Sequence, residues 1–131
     1  MIDKENLPWV NNEAINEIHL EEVDMLNTLS NIIDKQDTDA ITSQIQLLVE
    51  HMQKHFSFEE GLMKDKSYLM YTIHQADHNK VLNETRYILV DWRNAKDIER
   101  LKEYFQDELI EWLDQHIKAM DIPMAEFLMS S

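Results

Sequence analysis

The chain has no cysteine, a single glycine (Gly61) and only two prolines (Pro8 and Pro123). Without cysteine there are no disulfides, no thiolate metal ligands and no thiol nucleophile, and the composition fits a reducing compartment. Such sparse Gly and Pro punctuation favours long uninterrupted helices over turn-rich β structure. No apolar run approaches the roughly 20 residues that span a bilayer. The N-terminal MIDKENLPWVNNE also lacks the basic start and apolar stretch of a secretory signal. A cytoplasmic location is therefore expected. Basic residues are scarce too: 12 Lys and Arg against 26 Asp and Glu give a net charge of −14. That field repels nucleic acid and anionic membranes, so neither is expected as a partner. Most of the acidic excess reads as a solvated surface.

What is present is helical periodicity. At 131 residues the chain fits one domain (1–131) with one real core. The spacing predicts a helix over about 12–34, with Ile15, Ile18, Val23, Leu26, Leu29 and Ile33 on its apolar stripe. The polar stretch from Asp34 to Asp39 breaks the pattern, with Thr38 or Asp39 as N-cap of a second helix over about 40–64. Its inner side carries Ile41, Ile45, Leu48, Met52, Phe56 and Leu62. A third helix over about 70–92 is marked by Ile73, Val81, Leu82, Ile88 and Leu89. The fourth, over about 97–120, carries Leu101, Phe105, Leu109, Trp112, Leu113 and Met120, and a tail (122–131) follows. Four such helices with short connections predict an all-α, antiparallel up-down-up-down four-helix bundle. The N-terminal arm (1–11) is expected to lie across it, with the Trp9 indole covering part of the bundle.

Five histidines fall on these apolar stripes: His19, His55, His74, His78 and His116. His55 with Glu59, and His74 with His78, are spaced i, i+4 and so share a helix face. His116 and Asp121 are five apart, which a straight α-helix does not align. Pro123 disfavours α geometry at Ile122, so the helix should end or distort there and swing Asp121 back. Singly, each element has a bland reading: a core histidine with a satisfied hydrogen bond, or a surface pair. Jointly, five imidazoles and two carboxylates on four helices point to a pair of metal ions in the bundle core. Imidazole suits iron, copper, zinc and nickel, and carboxylates can bridge. Two divalent ions and two carboxylates leave about one positive charge per ion before any bridging hydroxide. Burying five unliganded histidines would be costly, and metal removes that cost.

The stretches INEIH (ending at His19), HFSFEEGLM (from His55), SYLMYTIHQADH (ending at His78) and EWLDQHIKAMD (ending at Asp121), with Trp9, resemble the hemerythrin family, its single-domain bacterial members in particular. The resemblance covers nearly the whole chain and implies one hemerythrin-like domain with a non-haem di-iron cofactor, bridged by carboxylates and an oxo or hydroxo group. It implies that His74, His78 and His116 hold one filled iron. His19 and His55 would hold the other, which keeps a position for dioxygen, while Glu59 and Asp121 bridge the two. Leu113 matches an apolar position lining the dioxygen pocket, although a plain core leucine would look the same. The implied function is reversible dioxygen binding for storage, delivery or sensing, without catalysis. A di-iron oxidase, peroxidase or nitric-oxide-handling enzyme is the alternative, and a metal-responsive interaction module a third. Two departures stand out: His51 where the family commonly has tyrosine, and Ile18 where it has a polar residue. His51 reads first as a boundary residue, with hydrogen bonding to a ligand's partner or proton donation as the alternatives.

Overall fold

The computed structural model describes residues 2–130; Met1 and Ser131, the outermost residues of the expected arm and tail, lie outside the described residues. The chain forms an antiparallel four-helix bundle, as its periodicity predicts, and no strand occurs among the described residues. Helix α1 runs Glu13–Asp34, α2 Thr38–Asp65 and α3 Tyr71–Ala95. A fourth helix continues from Ile98 to Ser130 but is not uniform. It is α-helical over Ile98–Lys102, Leu109–His116 and Ile122–Ser130, and π-helical over Glu103–Glu108 and Ile117–Asp121. Helix α1 packs on α2 and α2 on α3, while the fourth helix closes the bundle against α1 and α3. No helix among the described residues is long and apolar enough to cross a membrane.

Local chemistry sets the helix ends. Asn12, Asp37 and Asp97 each accept a backbone N–H of the first turn through their side chains, at 3.1, 3.2 and 3.2 Å. The second helix is thus capped by Asp37, ahead of both expected caps, Thr38 and Asp39. The three connections turn through left-handed residues that are not glycine: Gln36, Ser67 and Lys96. At two of them the following amide bonds back to the helix, Asp37 N–H to Ile32 O and Tyr68 N–H to Met63 O, which closes the last turn.

Several sequence expectations change. Pro123 does not end the fourth helix, so the expected tail is helical to Ser130 and buries Met124 and Ala125. Ile73 is half exposed at the start of α3, and Met63 rather than Leu62 is fully buried. The arm is tied to α1 by two asparagines: Asn16 exchanges hydrogen bonds with both backbone groups of Val10, and Asn27 with both of Ile2. Those clamps bury Val10 and leave the Trp9 indole 68% exposed, so the indole does not cover the bundle.

The half of the bundle nearest the α1–α2 and α3–fourth-helix turns is an apolar core of Ile33, Ile41, Ile45, Trp92, Leu101 and Phe105. The other half is built around buried polar side chains.

Candidate metal centre

Antiparallel packing brings the early part of α1, the late part of α2, the start of α3 and the late fourth helix to one level. His19, His55, Glu59, His74, His78, His116 and Asp121 meet there, all buried. The seven residues predicted from sequence are therefore brought together. They divide into two overlapping groups: Glu59, His74, His78, His116 and Asp121, and His19, His55, Glu59 and Asp121. Within each group the candidate ligand atoms lie within 4.8 Å of one another. That spacing suits ligands about 2.0–2.2 Å from a shared ion, where opposite ligands stand about 4 Å apart.

Glu59 and Asp121 belong to both groups, and each turns one oxygen to each. Glu59 Oε1 lies 3.4 Å from His74 Nε2 and 3.2 Å from His78 Nε2, while Oε2 lies 2.5 Å from His55 Nε2 and 4.0 Å from His19 Nε2. Asp121 Oδ1 lies 3.0 Å from both His74 Nε2 and His116 Nε2, and its Oδ2 lies 3.0 Å from His19 Nε2.

The π turn explains how Asp121 joins. Over Ile117–Asp121 the ladder runs i to i+5, with Ile122 N–H bonding Ile117 O. The wider turn brings residues five apart onto one line, as His116 and Asp121 require. Pro123 supplies the cause: it has no N–H to give Ala119 O, and its ring would clash with that carbonyl in a regular α turn.

The donor set fits a cation. In the three-histidine group, His74 Nε2, His78 Nε2, His116 Nε2, Glu59 Oε1 and Asp121 Oδ1 are buried and, despite their closeness, in no hydrogen-bond geometry with any partner. Five such atoms at one point would be expensive as a plain polar core. The electrostatics agree. Burial opposes charge on His74, but Asp121 and Glu59 outweigh it and push the imidazole up to about 9. His55 and His116 are raised against the same burial, by Glu22 with Glu59 and by Asp121 with Asp77. Burial and Asp121 oppose ionisation of Glu59, yet His55 and His74 hold it far below the ordinary range; Asp121 is held low against burial by His116, His19 and His74. A cation here replaces protons on the imidazoles.

The outer nitrogens reveal residues that sequence reasoning missed. Glu22 accepts from His55 Nδ1, Glu60 from His78 Nδ1 at 2.9 Å, and Asp77 from His116 Nδ1 at 2.6 Å. Each carboxylate comes from the helix before the histidine it holds. Because a carboxylate only accepts, the Nδ1 atoms carry the protons and the Nε2 lone pairs face inward. Two rings are also clamped by stacking: Phe56 on His78 (centroids 4.1 Å apart, 8° between planes) and Trp112 on His116 (4.5 Å, 17°). His51 is half-buried at the boundary, as expected, and its ring also lies between Glu21 and Glu22.

Similarity to known proteins agrees with this geometry. A bacteriohemerythrin of Aquifex aeolicus (strain VF5) is 26% identical over 119 residues, covering 91% of each chain. One from Pseudomonas aeruginosa (strain LESB58) is 29% identical over 109 residues, covering 83% of this chain and 69% of the relative. A myohemerythrin of Sipunculus nudus is 32% identical over 90 residues, covering 69% and 68%. No solved structure matches. Residues 10–126 match the family described as "Hemerythrin HHE cation binding domain", and the chain belongs to that family.

Proposed function

We propose that this hemerythrin-like protein holds two iron ions between its helices and binds dioxygen reversibly at one of them, for storage, delivery or sensing. The observation that carries the reading is the unequal division of the donors. Three histidines and two carboxylates face one position, and two histidines with the same carboxylates face the other. Five protein ligands would leave the first ion little room, and four would leave the second a place for a small ligand. Imidazole with bridging carboxylate suits iron. When bound, an iron pair supplies the electrons that dioxygen needs to be held and released.

The chain's own residues do the rest. Glu59 and Asp121 space the two positions, and the Nδ1 carboxylates fix the inward lone pairs. An apolar lining beside Glu22, formed by Leu26, Leu48, Met52, Leu109, Trp112 and Leu113, excludes water next to the two-histidine position. Leu113 is 4% exposed and belongs to that lining, consistent with a gas-lining role. Glu59, Asp121 and the five histidines are the proposed ligands, and we read binding rather than catalysis as the activity.

Anaerobic loading with ferrous iron should reach two ions per chain. Admission of air should then produce a visible charge-transfer band that vanishes on deoxygenation. Irreversible oxidation without such a band would contradict the reading. Under an added electron donor, native protein should consume oxygen no faster than Glu59→Ala; clear turnover by the native chain alone would favour a di-iron oxidase or peroxidase.

A further inference from the structure

The three carboxylates that hold the outer histidine nitrogens are themselves each steadied by an outer donor. Gln75 Nε2 donates to Glu60 at 3.3 Å and Trp112 Nε1 donates to Asp77 at 3.4 Å. His51 Nδ1 donates to Glu22 at 3.2 Å, on the same oxygen that accepts from His55. The three differ in solvent access. The side chains of Glu60 and Asp77 are 19% and 25% exposed, whereas that of Glu22 is 6% exposed. Water can therefore solvate Glu60 and Asp77 in part, but Glu22 depends on its protein partners.

We propose that His51 is a positioning residue for the two-histidine position: it keeps the buried Glu22 carboxylate turned toward His55 Nδ1, and so keeps His55 Nε2 directed at the ion.

The geometry gives His51 the means. Its Nε2 faces Glu21 at 3.0 Å while its Nδ1 faces Glu22, and carboxylates only accept. Both ring nitrogens therefore carry protons, and the ring is a cation held between consecutive glutamates of α1. The hydrogen bond to Glu22 is the main influence raising the basicity of His51, with burial opposing and Glu21 adding to the rise. Among the three outer donors His51 alone carries a charge, and it serves the most deeply buried carboxylate. Without it, Glu22 keeps a single partner in an apolar surrounding. It is then held by His55 alone, and the orientation of its carboxylate toward His55 Nδ1 is less firmly fixed. The effect falls on one half of the centre only, because Gln75 and Trp112 steady the carboxylates of the other.

This inference rests on the metal-centre reading, and redox-inert zinc separates the two. Chelator-competition titration of the native chain should give two zinc ions; fewer than two would break the parent reading. His51→Phe should weaken one of the two ions by about tenfold and leave the other within about twofold, the range expected when a ligand's hydrogen-bonding support is lost. A role limited to tying α1 to α2 would lower the melting temperature of the metal-free protein without that selective loss. The double variant with His55→Gln supplies the second readout: once His55 no longer binds, His51→Phe should add almost nothing to the weakening. Unchanged zinc affinities in His51→Phe, or full additivity with His55→Gln, would overturn the proposal. His51→Leu repeats both measurements should phenylalanine disturb helix packing.

Discussion

The two halves of the centre share their carboxylates, and each has one histidine with no Nδ1 partner, His74 on one side and His19 on the other; they differ in how the remaining histidines are held. On the three-histidine side, His78 and His116 are each stacked by an aromatic ring and tethered at Nδ1. On the two-histidine side only His55 is tethered, and its carboxylate relies on a partly exposed imidazole. His19 has no Nδ1 partner, and meets His55 edge-on at 5.3 Å. One half is braced and the other is held by fewer contacts. The difference teaches that two shared carboxylates can serve positions with unequal support: parallel ring stacking reaches only the three-histidine side, while Phe56 meets His55 at a tilt (5.0 Å, 43°).

The largest expected effect removes the distinction altogether. Glu59→Ala takes one oxygen from each position, so both ions should be lost or weakened beyond the roughly 10–100-fold typical of losing a ligand's hydrogen-bond partner. Metal analysis after desalting checks it.

Next comes pH. Metal-free His74 holds its proton up to about 9, and a bound ion must displace it. Affinity should rise with pH toward about 9, by roughly tenfold per unit for each proton displaced. The stability of the metal-free fold runs the other way. The part due to His74 is fully present below 6.5 and lost as pH rises through about 9. Glu22, lowered to about 2 because His55 and His51 outweigh its burial, contributes above 4.5 and loses that contribution as pH falls toward 2. Melting curves with and without zinc should therefore diverge between pH 6.5 and 9.

A paired test sharpens the contrast between halves. Asp77→Asn should weaken the three-histidine ion and Glu22→Gln the two-histidine ion, each by about 10–100-fold, with the other ion nearly unchanged. Stepwise titration reads both; similar weakening of both ions within either variant would erase the distinction. Pro123→Ala should let a regular α turn form, carry Asp121 off the His116 line and weaken both ions, with far-ultraviolet circular dichroism unchanged. Smallest is a control. Gly61 lies in α2 with open space where a Cβ would go, so Gly61→Ala should stabilise the fold by about 0.5–1 kcal/mol without altering either affinity.

The bundle and the seven candidate ligands were legible because both rest on short-range periodicity: an apolar stripe with histidines in register is visible in any single helix. Asp121 was legible from the residues through Pro123, which disfavours α geometry at Ile122 and so announces a distortion before the π turn is seen, and from the family resemblance of the stretch that ends on it. The tethers were not. Glu22, Glu60 and Asp77 each reach a histidine on the following helix, and nothing within one helix marks Glu60 or Asp77 among 26 acidic residues. Glu22 offered the one usable signal, a carboxylate beside Val23 on an apolar stripe, three residues after His19. Ile73 and Trp9 misled for a related reason. Periodicity fixes a face, while exposure depends on whether a neighbouring element extends far enough to cover it, and none covers these two.

The inequality of the two positions is most directly tested by the Mössbauer spectrum of the protein loaded with ⁵⁷Fe under anaerobic conditions and then exposed to oxygen. Irons held by three histidines and by two, one of them carrying the added ligand, should give two quadrupole doublets of equal area. A single doublet under those conditions would mean that the two positions are equivalent, and would contradict the account.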